Sequence, residues 1–336
     1  LHLSLRRQRQ MCIRDRYCPW EKGFRKAWKI QNGNQTGGAD ASGYVNPQYT
    51  VEAQDLACSG WNPADSNSKL TLSFWVKSSV AQTFYSYLYV NDGGGDSYSF
   101  SYALSANAWT KVTKIIPGHA DLAVNSDNGA GLTIYLPLFL GTDRTTSGHT
   151  LNQWQSWSGS DRTPDQTTTW YTTNDATWHI TGIQLEVGSV ATPFEHLSYG
   201  DTLRKCQRYY WRTSANNNEF FPGLGMADTD GNTVILNTPF PIRMRTAPTA
   251  LEQTGTANNY KIRRSTTATC SSVPTFGHAT VDQAATNFIS SSHGFGDGSA
   301  VRCMGGTSGA YLGSVSYTHL RAHETVLDLV CRLLLE

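Results

Sequence analysis

Lys69-Leu70-Thr71-Leu72-Ser73-Phe74-Trp75-Val76-Lys77 decides the fold. Apolar and polar residues alternate along it with a period of two, the pattern of a strand with one buried face. Leu70, Leu72 and Val76 supply the core face, with Phe74 or Trp75 between them. The pattern recurs in both directions. Residues 50–54 precede it. Residues 84–90 and 98–104 follow, flanking Asn91-Asp92-Gly93-Gly94-Gly95-Asp96, a hairpin turn. Residues 109–116 alternate cleanly. Residues 132–140 form a further run, in which Pro137 implies an edge or a bulge. Residues 178–187 close the series. Short strands separated by turns predict an all-β chain, a jelly-roll β-sandwich.

Two segments break the pattern. Residues 141–177 are long and polar, and such a stretch is uncommon unless it is functional or conceals short strands. Residues 201–210 read as the one helix, because Leu203, Cys206 and Tyr210 fall on one face. It is expected to link the jelly roll to a second β domain. There, residues 220–226 and 233–237 flank a second hairpin turn, Asp228-Thr229-Asp230-Gly231-Asn232.

The two ends of the chain encode each other. Met11-Cys12-Ile13-Arg14-Asp15 can be written ATG TGT ATA AGA GAC, whose reverse complement reads Val-Ser-Tyr-Thr-His, the sequence of Val315 to His319. Folding has no reason to produce that relation. A DNA adapter ligated to both sides of a fragment does, and the flanks resemble the translated transposase adapter of a sequencing library. The expected organisation is therefore adapter-derived residues 1–16, a jelly roll over 17–198, a linker helix over 199–212, a truncated β domain over 213–314, and adapter again over 315–336. Neither flank is expected to pack in a core.

Removing the flanks changes the charge reading. The chain carries +1; the N-terminal flank accounts for +4 and the C-terminal flank for −1, so the insert is near −2. The arginines at 6, 7, 9, 14 and 16 are then no nucleic-acid arm, and neither a nucleic acid nor a membrane is expected as a partner. Charged residues are 16% of the chain, below the ~25% typical of soluble proteins, whereas uncharged polar and aromatic residues are abundant. That composition suits all-β surface-binding proteins. The cysteines of the insert (18, 58, 206, 270 and 303) are odd in number and lack metal-site spacing. They read as buried thiols, with Cys270 and Cys303 the one pairing worth testing.

Ile183-Gln184-Leu185-Glu186-Val187-Gly188-Ser189-Val190-Ala191-Thr192-Pro193-Phe194-Glu195-His196, followed by Tyr199-Gly200-Asp201 and Cys206-Gln207-Arg208-Tyr209-Tyr210, resembles a segment of bacteriophage tail-fibre and related virion proteins. Leu72 to Lys77, Trp109 to Val112 and Pro241 to Thr249 are similar to further parts of that family. The resemblance implies a jelly roll like those of carbohydrate-binding modules, location in the virion tail, a homotrimer, and recognition of bacterial surface polysaccharide. It also implies that Ile183 and Leu185 face the core and that Phe194 plugs the base of the sandwich.

Sugar sites combine aromatic rings, which stack on pyranose faces, with neutral polar groups for the hydroxyls. Trp154, Trp157, Trp170 and Tyr171, with Gln153 and Gln155, are the candidate glycan-binding residues, joined by Asn152 and Gln166, and more weakly by Trp61. The alternative is that these rings pack a core, as buried Trp usually does. No catalytic residues are assigned, because no nucleophile elbow, zinc motif or recognisable carboxylate pair occurs. No metal or cofactor is expected: the Asp228 loop starts like a calcium loop, but Pro239 stands where the closing acid belongs. Two other readings stay open: a carbohydrate-binding module of a secreted glycoside hydrolase, and a virion spacer that binds no sugar.

Overall fold

A computed structural model describes residues 20–33, 38–291, 293–306 and 309–316. The chain is all-β and divides into two compact units between His196 and Leu197. Residues 1–16 and 317–336 lie outside the described residues.

The first unit contains β1 (Trp28–Gln31), β2 (Tyr44–Val45), β3 (Gln48–Glu52), β4 (Lys69–Ser78), β5 (Gln82–Val90), β6 (Asp96–Leu104), β7 (Thr110–Pro117), β8 (Ala130–Tyr135), β9 (Phe139–Leu140), β10 (Trp154–Ser156) and β11 (Thr177–Val187), with short helices α1 (Ala53–Ala57) and α2 (Thr169–Thr172). They pair antiparallel into a four-stranded sheet, β1-β11-β4-β7, and a five-stranded sheet, β10-β6-β5-β8-β3. The chain passes from one sheet to the other after β3, β4, β6, β7 and β10, which makes the sandwich a jelly roll. Alternation along β4 buries Leu70, Leu72, Phe74 and Val76. Trp75 faces out beneath the Lys22 ammonium, 5.3 Å away. Between the sheets, Phe74 meets Tyr102 edge-on at 5.6 Å and Phe84 stacks on Tyr102 at 5.8 Å. Trp178, fully buried, belongs to the same core.

Two expectations are refined here. The run at 132–140 is split, because Pro137 has no N–H for a ladder: β8 ends at Tyr135, and β9 pairs with β2 instead. Residues 53 and 54 belong to α1, not to a strand. Ile183 and Leu185 do pack on the core. Phe194 does not plug it, but closes a separate cluster with Phe24, at 5.0 Å, and His196. That cluster covers a bulge in β11 at Gly182, whose φ of +61° and closeness to the Phe24 ring require glycine.

On the other face of the four-stranded sheet His179 is buried beside Lys77 and Trp109. Burial, helped by the Lys77 and Lys29 charges, lowers its pKa to about 4. The fold therefore favours neutral imidazole. That stabilisation is complete above the unfolded pKa of about 6.5 and is lost as pH falls toward 4, on the order of 3 kcal/mol in all. Urea midpoints should rise from pH 4.5 to 6.5 and then level off, and His179→Gln should flatten the rise. An unchanged slope in the variant would refute the assignment.

The second unit opens on α3 (Tyr199–Gln207), capped by Ser198, whose Oγ accepts the Asp201 N–H at 3.2 Å. The helix stops at Gln207, and β12 (Tyr210–Ala215) already forms a sheet where a linker to 212 was expected. β13 (Leu224–Ala227) and β14 (Thr233–Pro239) follow, joined by the expected turn at Asp228. Then come β15 (Leu251–Gln253), β16 (Tyr260–Arg263), β17 (Thr267–Thr269), β18 (Thr275–Ala279), β19 (Gln283–Ile289), β20 (Ala300–Gly305) and β21 (Ala310–Val315). A three-stranded sheet, β12-β21-β15, and a seven-stranded sheet, β17-β16-β20-β13-β14-β19-β18, enclose Val234, Tyr260, Ile262, Phe288 and Leu312. Cys270 and Cys303 share this core as free thiols, and burial raises the pKa of both.

The packed region also runs two residues past the expected boundary at 314. Val315 pairs with Tyr210, and buried Ser316 accepts the Thr246 N–H at 2.7 Å. Val315 thus completes β21 through its backbone, whereas Ser316 lies just beyond the strand and is held by its side chain.

Candidate functional site

The outward face of the five-stranded sheet is a grid fixed by strand register. One row runs Gln155, Ser97, Tyr89, Thr133, Thr50 from β10 to β3; the next runs Ser99, Tyr87, Tyr135, Gln48. The reason is local. Along β5, Phe84, Leu88 and Val90 point into the core, so Tyr85, Tyr87 and Tyr89 must point away. On β6 the corresponding positions are the small residues Ser97, Ser99 and Ser101.

Those serines leave room for the polar stretch after β9, which lies across the β6 side of the grid. Asn152 donates its N–H to the Ser99 carbonyl at 2.7 Å, and the Ser99 hydroxyl donates to the Arg162 carbonyl at 3.0 Å. The Trp157 N–H reaches the Gly95 carbonyl at 3.0 Å. Ser97, Ser99 and Tyr87 are covered as a result, whereas Tyr89, Tyr135, Thr50 and Gln48 stay half-exposed.

The aromatic groups form a connected surface. Tyr87 and Tyr135 stack at 4.5 Å and 17°. Tyr89 and Trp157 sit 5.5 Å apart, tilted by 53°. The Arg162 guanidinium lies 5.3 Å over the Trp157 ring, with its Nε–H donated to the Gly159 carbonyl at 3.0 Å. Burial raises the pKa of Tyr87 far above the usual phenol range, opposed by the Arg162 charge and by hydrogen bonding from Arg162 and Asn46. At the far edge the Gln155 amide meets the buried His149 ring at 3.1 Å, and His149 holds Asp161 at 2.7 Å. The face thus offers rings, hydroxyls, amides and one guanidinium, a set suited to sugar rings and their substituents.

The residues expected to bind from sequence separate into two groups. Trp157, 39% exposed, belongs with Gln155 at this face, and Gln153 is exposed in the bend before β10. Trp154, Trp170 and Tyr171 do not: all three are in the core. Trp154 packs on Tyr98 and donates its Nε1–H to the Pro117 carbonyl at 2.6 Å. Trp170, with 0% exposure, sits on α2, and Tyr171 stacks on Phe139 at 4.1 Å. Trp61 is also buried. Asn152 has a φ of +61° and serves a turn. Gln166 lines a separate cavity of about 130 Å³ with Asp40, Thr145 and Asp165, smaller than the ~300 Å³ at which small-molecule sites begin. Tyr85, Tyr89, Tyr135 and Arg162 were missed. The signal on β5 was present, since Tyr85, Tyr87 and Tyr89, spaced by two, must share a face opposite Phe84, Leu88 and Val90.

Among the described residues no three His, Cys, Asp or Glu side chains gather as a metal site. The Asp230 carboxylate closes its own turn, accepting from the Asn232 and Thr233 N–H groups at 2.9 and 2.7 Å. Nor is any described helix long and apolar enough to cross a membrane.

No protein-family profile matches the chain, and no curated protein does. Among solved structures the chain is similar to one titled CBM4 structure and function, with 11% identity and a TM-score of 0.26 over 48% of this chain and 71% of that one. A family 16 carbohydrate binding module shows 10% identity and a TM-score of 0.22 over 47% and 74%. A protein from Parabacteroides distasonis ATCC 8503 shows 8% identity and a TM-score of 0.25 over 87% and 89%. Likenesses this weak define no family, and what the site can do follows from its own chemistry.

Proposed function

We propose that the jelly roll binds a glycan non-covalently across the outward face of the five-stranded sheet, and that it does so as part of a bacteriophage tail fibre recognising host surface polysaccharide. The observation that carries the sugar reading is the half-exposed Tyr89, Tyr135 and Trp157 set among Gln48, Thr50 and Gln155 on a rigid sheet. Rings fixed by a sheet lose little freedom on binding, which favours affinity. The role is binding without catalysis: glycoside hydrolysis calls for a pair of carboxylates, and this face presents aromatic, hydroxyl, amide and guanidinium groups. The virion setting is supported by the resemblance of residues 183–210 to tail-fibre proteins.

Affinity electrophoresis through a panel of bacterial polysaccharides tests the binding. At least one polymer should retard the protein, and Tyr89→Ala or Trp157→Ala should weaken that retardation roughly tenfold or more, a loss of ~1.4 kcal/mol. Normal mobility in every gel would favour a spacer. A longer read of the source DNA tests the setting. Tail genes beside a continuous fibre frame are expected, and a hydrolase domain in frame would make this an enzyme's sugar-binding module.

A further inference from the structure

The Arg162 guanidinium is held inside the aromatic surface, and nothing in its surroundings neutralises it. The Trp157 ring lies 5.3 Å away, the Gly159 carbonyl takes the Nε–H, the buried Tyr87 hydroxyl takes a further hydrogen bond, and the Tyr135 hydroxyl lies within its field. Among the described residues no carboxylate forms an ion pair with it. Its neighbour Asp161 is engaged by His149 at 2.7 Å.

A half-buried cation costs desolvation, and proteins usually offset that with an anion. Here the offset within the protein comes only from ring faces and neutral oxygens. The guanidinium is also constrained: contact with the Trp157 ring and hydrogen bonds to the Gly159 carbonyl and the Tyr87 hydroxyl restrain its plane, and the remaining terminal N–H groups are left for an incoming acceptor. A planar fork of that kind matches a carboxylate with two parallel hydrogen bonds, a geometry that a lysine cannot offer. Neutral sugars can accept from it through their hydroxyls but bring no charge to offset the cation.

We propose that the ligand of this face is an acidic glycan, and that Arg162 receives the carboxylate of a uronic-acid-type residue while Trp157 and Tyr89 take the adjoining ring. This rests on the glycan-binding reading above and narrows it to a substrate class. Its consequences are specific. Binding should fall as sodium chloride rises from 50 to 500 mM, because the guanidinium is partly open to solvent and therefore screened. Neutral polymers should bind weakly or not at all.

The test uses the full chain in affinity gels containing polygalacturonate or alginate, run beside the same polymers after methyl esterification. Retardation by the acidic polymer, reduced tenfold or more by esterification, is the expected result. Arg162→Gln should remove it, and Arg162→Lys should recover only part of it. The esterified polymer keeps the test independent of whether the variants fold. Equal binding of native and esterified polymers, or retention of neutral glycans alone with no effect of Arg162→Gln, would overturn the acidic-ligand inference and leave the glycan-binding reading standing. Failure of every polymer, acidic or neutral, would overturn both.

Discussion

Trp154→Ala should strongly destabilise the jelly roll, whereas Trp157→Ala, three residues on, should leave its stability nearly unchanged. Trp154 has 9% of its surface exposed, packs on Tyr98, and gives its Nε1–H to the Pro117 carbonyl. Truncating a buried Trp costs about 3–5 kcal/mol through lost burial and the cavity left behind. The Pro117 carbonyl would lose its donor as well, adding to the cost. Against a total of ~5–15 kcal/mol for a typical domain, that is a large fraction. Trp157 contacts Tyr89 and Arg162 only at the surface, and its truncation should cost about 1 kcal/mol or less. Chemical denaturation monitored by far-ultraviolet circular dichroism separates the two. Equal midpoints for the two variants would mean that the assignment of Trp154 to the core is wrong. The contrast matters because the two tryptophans are indistinguishable by composition, and alanine at either one should weaken the proposed sugar binding for unrelated reasons.

The second large effect is expected in the other unit. Phe288 is fully buried, 6.0 Å from Phe221 and 5.9 Å from Tyr260, whose ring meets it edge-on. Tyr260 in turn donates its hydroxyl to the Tyr311 carbonyl at 2.7 Å and accepts the Thr254 N–H at 2.9 Å. Removing the Phe288 ring undermines the cluster that positions those two bonds. Phe288→Ala should therefore cost about 3–5 kcal/mol. Amide exchange resolved by peptide mass spectrometry reads this directly. The slowest amides of β14, β19 and β20 should exchange roughly 100- to 3,000-fold faster, since every 1.4 kcal/mol is a factor of ten. Unchanged protection in those strands would show that the aromatic cluster does not hold the second unit together.

What the sequence revealed depended on how local the determining physics is. Strand periodicity is a property of adjacent residues, so β4, β5, β6, β7 and β11 could be read directly, as could the two hairpin turns. The cap of α3 was equally local, yet the helix was placed two residues late and carried into β12. Tyr210 satisfies a helical face and a strand face alike, and only its pairing with Val315 decides between them. The site was less legible. Trp154, Trp170 and Tyr171 lie in a polar stretch, which argued for exposure. Their burial follows from long-range packing, with Trp170 anchored by Asn32, whose amide reaches the Trp170 carbonyl at 2.6 Å. Arg162 gained its place from how that stretch folds back over β6, which no pattern within the stretch encodes.

The division of β5 into an inward row of Phe84, Leu88 and Val90 and an outward row of tyrosines has an evolutionary consequence. Substitutions at Tyr85, Tyr89 or Tyr135 alter what the surface meets without passing through a destabilised ancestor, so recognition can diversify by single steps while the scaffold persists. Deletions have no such freedom. Losing one residue within β5 would exchange the two rows, turning tyrosine hydroxyls into the core and phenylalanine outward. Lineages descending from this chain should therefore vary by replacement along β5 and by insertion only in the segments between strands.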